Sequence, residues 1–117
     1  MQLDFNKPLL QLDGTPAKDQ FNEEVSLGKL LGNQLASHNQ GDAVKIIGWA
    51  QKCFRGYTVE VDKSDFKTLK DFIASSQQLT NLMKAQMLEV CDDAEEVSRK
   101  KKLQPAAEPE GQVSSNI

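Results

Sequence analysis

Asp42-Ala43-Val44-Lys45-Ile46-Ile47-Gly48-Trp49-Ala50-Gln51-Lys52-Cys53-Phe54-Arg55-Gly56 is the stretch on which the fold turns. Asp42 is a good N-cap and Gly56 a good stop, so the chain between them reads as one helix running to about Phe54. At about 100° per residue, Trp49, Cys53, Ile46, Ala50, Ala43, Phe54, Ile47 and Val44 follow one another around the wheel. Lys45, Gly48, Lys52 and Arg55 share the narrow face that is left. A helix apolar over more than half its circumference is covered from two sides. The expectation is a central apolar helix with the other elements arranged around it, although a closed oligomer would hide one side of the arc equally well.

Upstream, Ser26 caps a helix whose Leu27, Leu30, Leu31 and Leu35 form a stripe, and Asn39-Gln40-Gly41 ends it. Gly28, Gly32 and Ala36 recur every fourth residue beside that stripe. Each interior glycine costs about 1 kcal/mol relative to alanine. Close approach of another backbone would offset that cost; the alternative is a marginal, frayed helix. Farther upstream, Leu3, Phe5, Leu10 and Leu12 around Pro8, followed by Asp13-Gly14, predict one or two short strands and a small β-hairpin over residues 1–16. Ala17 to Val25 shows no clean period and reads as a loop.

Downstream, Tyr57, Val59 and Val61 alternate with polar residues, as in a short strand or extended connector. Asp62 or Ser64 caps a third helix with Phe66, Leu69, Phe72 and Ile73 on one face. After a break at Ser75-Ser76, a fourth helix runs from about Gln77 to Cys91, with Leu79, Leu82, Met83, Met87 and Val90 in its apolar arc. Links this short favour antiparallel neighbours. Acids at Asp92, Asp93, Glu95 and Glu96 followed by Arg99-Lys100-Lys101-Lys102 suit a continuation of that helix to about Lys102. Beyond Leu103 the chain is poor in apolar residues and rich in Pro, Glu and Ser, a composition expected to be disordered. The predicted fold is mainly α, with about four helices, a small N-terminal hairpin and a disordered C-terminal tail. Residues 1–91 form a single domain (hairpin 1–16, helical core 26–91), and residues 92–117 form a charged extension and tail.

The 117 residues carry 17 acidic and 14 basic side chains, a net charge of −3 shared almost evenly along the chain, so attraction to phosphate is not encoded in bulk. No apolar run reaches the length of a membrane span, and the two cysteines make no disulfide framework. His38, the single histidine, falls at a helix end, with no nucleophile or carboxylate nominated beside it; interaction with the free carbonyls there is its simplest role. Cys53 and Cys91 lie on apolar arcs, where thiols pack. Asp13, Asp19, Asp62 and Asp65 lack EF-hand spacing, and the glycines form no phosphate-binding loop. The expectation is no enzyme activity, no cofactor and no metal. Lys63, Lys67 and Lys70 recur at helical spacing, but they alternate with Asp62, Asp65 and Asp71; a solvated face is the preferred reading and nucleic-acid contact the rival. What remains is surface for a protein partner: an edge strand at the N-terminus, the charged tail, and the part of the fourth helix holding Leu82, Met83 and Met87.

The segments Leu3-Asp4-Phe5-Asn6-Lys7-Pro8, Leu12-Asp13-Gly14, Leu27-Gly28-Lys29-Leu30-Leu31, Gly41-Asp42-Ala43 and Asp62 through Ile73 occur in an order that resembles a family of small uncharacterised proteins of tailed bacteriophages and prophages. In style the chain is similar to the tail assembly chaperones among them, which hold the tape-measure protein during tail construction. The resemblance implies a non-enzymatic accessory protein in the cytoplasm of a bacterial host, with a phage tail or tape-measure protein as partner. A regulator that contacts nucleic acid and an inhibitor of a host enzyme are the alternatives. It transfers no functional residue to this chain.

Overall fold

The structure, a computed structural model, describes residues 1–103. The tail expected beyond Leu103 lies outside the described residues. The chain is mainly helical: β1 (Gln2–Leu3), α1 (Leu27–Ser37), α2 (Ala43–Arg55), β2 (Val59–Glu60), α3 (Lys63–Ser75) and α4 (Asn81–Leu103) follow in order. The helices form two antiparallel pairs, α1 with α2 and α3 with α4, held together through a core that also takes Leu3, Phe5 and Leu9 from the N-terminal segment.

Local chemistry sets the helix ends. The Ser26, Asp42 and Asp62 side chains accept from the backbone N–H groups of Lys29, Lys45 and Asp65, at 3.4, 3.2 and 2.8 Å, which satisfies one orphan donor in each first turn. Gly56 closes α2 in the left-handed region at φ 82°, where a side chain would be strained. α4 begins at Asn81, four residues later than the sequence pattern suggests, because the Thr80 hydroxyl takes the Met83 N–H. Leu79 still reaches the core, from the connection rather than from the helix. α4 then passes Cys91 without a break, and Lys70 of α3 bridges to both Asp92 and Glu95 on it.

The α1 glycines have the role that offsets their cost. A Cβ on Gly28 would run into the carbonyl oxygen of Cys53, and one on Gly32 would lie 2.8 Å from that of Ala50. α1 and α2 therefore meet backbone to backbone, while Ala36, the third member of the stripe, is exposed.

The N-terminal region is more elaborate than one hairpin. β1 pairs antiparallel with β2, Leu3 opposite Val59, far along the chain. The Asp13-Gly14 turn does close a short antiparallel arm, with Gln11 N–H donating to Thr15 carbonyl at 2.8 Å. The segment read as a loop, residues 17–25, is a second arm: Asp19 N–H donates to the Glu23 carbonyl, and the Asp19 carboxylate takes the N–H groups of Phe21 and Glu23. The arms join through a ring of three backbone bonds, Leu9 to Val25, Val25 to Ala17 and Ala17 to Leu9, at 2.7, 2.9 and 2.8 Å. No strand or helix forms over residues 17–25, and an Asx-type turn at Asp19 rather than hydrophobic alternation organises the loop.

Burial on α2 also differs from expectation. Ile46, Trp49, Ala50 and Cys53 are buried, but Val44, Ile47 and Phe54 on the same apolar arc face outward. Among the described residues α2 is packed on one side only.

Candidate functional site

The exposed half of α2 is the most distinctive surface among the described residues. Val44 is 86% exposed, Phe54 47% and Ile47 39%, and their spacing places them along one line of the helix. Gln51 lies in that line, and Arg55 and Lys52 run beside it. The Lys29 ammonium of α1 sits 5.6 Å from the centre of the Phe54 ring, at cation–π range. α1 and α2 contain no carboxylate within their helical spans. Lys45 is held by Asp65 of α3 at 3.1 Å, which raises its pKa through the hydrogen bond and the opposite charge, whereas Lys29, Lys52 and Arg55 have no ion pair among the described residues. The surface is thus an apolar line bordered by unpaired cations, with an open notch at Gly48, where an added Cβ would meet nothing within 4 Å.

The fourth-helix residues nominated from sequence are placed differently. Met87 is fully buried and belongs to the core, so it is not available to a partner in the folded chain. Leu82 and Met83 are half-buried and pack against that core. Leu82 also lines a shallow groove shared with Pro8, Leu10, Leu12, Leu27 and Val90. The N-terminal edge named as a partner surface is covered where it passes α4: the Gln86 side-chain amide accepts from Leu10 N–H at 2.9 Å and donates to Leu10 carbonyl at 2.8 Å. That bidentate contact uses the two groups a new strand would need. Leu12 and Phe21 stand exposed at the tips of the two arms.

Among the described residues, the titratable groups singled out from the sequence do not come together in a catalytic constellation. The His38 ring meets Phe72 edge-on at 4.9 Å, and it is the His38 backbone N–H, not the ring, that bonds the helix-end carbonyl of Leu35. Burial pushes the Cys53 thiol up to about 12 and the Cys91 thiol up to about 11, far from the reactive range. Asp13 is held below the usual carboxylate value by the Thr15 hydroxyl and amide, a turn contact. Among the described residues no group of His, Cys, Asp and Glu could hold a metal, and no helix is long and apolar enough to cross a membrane. Of the lysines that suggested nucleic acid, Lys67 pairs with Asp71 at 2.7 Å and Lys70 with Asp92 and Glu95 at 3.3 and 3.5 Å.

Comparison with protein-family models, with curated proteins and with solved structures finds no match to this chain.

The sequence did carry a signal for the α2 face. An arc this wide predicts cover from two sides, by the chain's own elements or by a second copy in a closed oligomer, and among the described residues only one side is covered.

Proposed function

We propose that this chain is a non-enzymatic protein-binding module that docks a partner on the outer face of α2. The observation that carries the reading is the line Val44, Ile47 and Phe54, held in solvent by a helix whose other side is fixed in the core. Apolar surface set in a rigid helix and rimmed by charge is typical of interaction sites. On the resemblance of its segments, the module is an accessory protein of a tailed bacteriophage or prophage that acts as a tail assembly chaperone, shielding an apolar or coiled-coil region of a tape-measure or other tail protein in the host cytoplasm. Leu82 lines a separate groove beside Leu10 and Leu12, away from the α2 face, and is not part of the docking surface in this reading.

The test is affinity capture with the tagged full chain from phage-infected host lysate, followed by mass spectrometry and sizing of the complex. Recovery of a virion protein in a defined complex supports the assembly role. Recovery of a single host enzyme overturns it in favour of inhibition, and recovery of nucleic acid overturns it in favour of regulation.

A further inference from the structure

The outer face of α2 leaves two features that the chain's own packing does not explain. The first is charge. The protein is net acidic at −3, yet both helices of the α1–α2 pair lack carboxylates, and Lys29, Lys52 and Arg55 border the exposed apolar line without a carboxylate partner among the described residues. Lys45 on the same helix, by contrast, is paired with Asp65 at 3.1 Å. The second is Gly48. An interior helix glycine is unfavourable, and its two counterparts in α1 are each occupied by an incoming backbone. Gly48 has the same open geometry with nothing in it, midway between Val44 and Lys52.

We infer that the α2 face receives an amphipathic helix bearing carboxylates, whose apolar stripe lies along Val44, Ile47 and Phe54 and whose carboxylate-bearing flank passes over Gly48 toward Lys52 and Arg55. The inference rests on the protein-docking reading above and adds the chemistry of the partner. A second copy of the chain presenting the same face is disfavoured, because it would bring further cations and no helix carboxylate into the interface. Single-stranded nucleic acid is disfavoured as well: three cations make few phosphate contacts, and the Lys29 ammonium already covers the Phe54 ring that would have to stack a base.

Two synthetic helical peptides with the same leucine stripe, one flanked by glutamates and the other by lysines, make the test, with amide chemical shifts of the labelled full chain as the readout. Whole-molecule attraction favours the basic peptide for a protein of charge −3, so preference for the acidic one reports the local face. The acidic peptide is expected to bind about tenfold more tightly at low salt, with the advantage shrinking as salt rises. Shifts should be confined to α2 and the neighbouring side of α1. Lys52→Glu with Arg55→Glu is expected to reverse the preference, and Gly48→Ala to weaken binding of the acidic peptide while leaving the fold intact. Equal binding, preference for the basic peptide, shifts mapping to α4 or the hairpin arms, or displacement of the peptide by a short single-stranded oligonucleotide each overturns the inference. If neither peptide moves α2 signals while Val44→Asp still abolishes capture of the natural partner, the acidic-helix chemistry is wrong and the docking face stands. If Val44→Asp leaves that capture intact, the docking reading itself fails.

Discussion

Three glycines in otherwise similar helical settings have opposite expected responses to the same substitution. At Gly28 an added methyl meets the Cys53 carbonyl, which belongs to helix backbone and cannot rotate away, so Gly28→Ala forces α1 and α2 apart. The expected loss is about 1–3 kcal/mol, and Gly32→Ala is expected to behave alike. At Gly48 nothing is met, so Gly48→Ala gains helix propensity and is expected to stabilise the free protein by about 0.5–1 kcal/mol. Thermal or denaturant unfolding of the three variants checks both signs. The cysteines give a further residue-level expectation. With their thiols pushed up to about 12 and 11, Cys53 and Cys91 should resist alkylation at neutral pH until the chain unfolds, as mass measurement after brief iodoacetamide treatment would show. A raised folded pKa favours the folded state below the unfolded value of 9.0, and that contribution fades as pH climbs toward 11 and 12. Stability should therefore decline above pH 9.0 with the thiols contributing to the loss, and Cys91→Ala should reduce the slope.

Among the elements, α4 is a core helix on one side and a clamp on the other. Met87→Ala is expected to cost about 2–5 kcal/mol, in line with removal of a fully buried side chain, whereas Leu82→Ala should cost visibly less because Leu82 is only half-buried. Gln86→Ala removes both contacts to Leu10 and should raise hydrogen exchange at that amide before it affects global unfolding. How far the elements were legible in the sequence follows from what forms each one. Ser26, Asp42, Asp62 and Gly56 mark helix ends through their own side-chain or backbone chemistry, so those ends could be read locally. The pairing of β1 with β2 and the ring joining Leu9, Ala17 and Val25 depend on residues brought together only by the fold, and no local pattern announces them. The burial of Met87 is not legible locally for a similar reason: helical periodicity gives the width of an apolar arc but not which part of it a neighbour covers.

At the scale of the whole molecule, charge is partitioned. The α3–α4 pair carries acids and bases that neutralise one another, as at Lys67–Asp71, Lys70–Asp92 and Lys70–Glu95, while the α1–α2 pair keeps unpaired cations beside exposed apolar groups. The first half of that division predicts that DNA and RNA mobility stays unchanged at low salt, and that charge reversal at Lys63, Lys67 and Lys70 does not alter the result. The second half makes α2 both a structural helix and the binding surface, fixed on one side and free on the other. The most direct measurement is of Val44→Asp, read in parallel for thermal stability and for capture of the partner from infected-cell lysate. Val44 is 86% exposed and an acid in the first turn of a helix suits its dipole, so the account predicts an unchanged melting temperature together with lost capture. A clear fall in melting temperature would show that Val44 is covered within the folded chain, and unimpaired capture by a stable variant would show that partners dock elsewhere; either result contradicts the account.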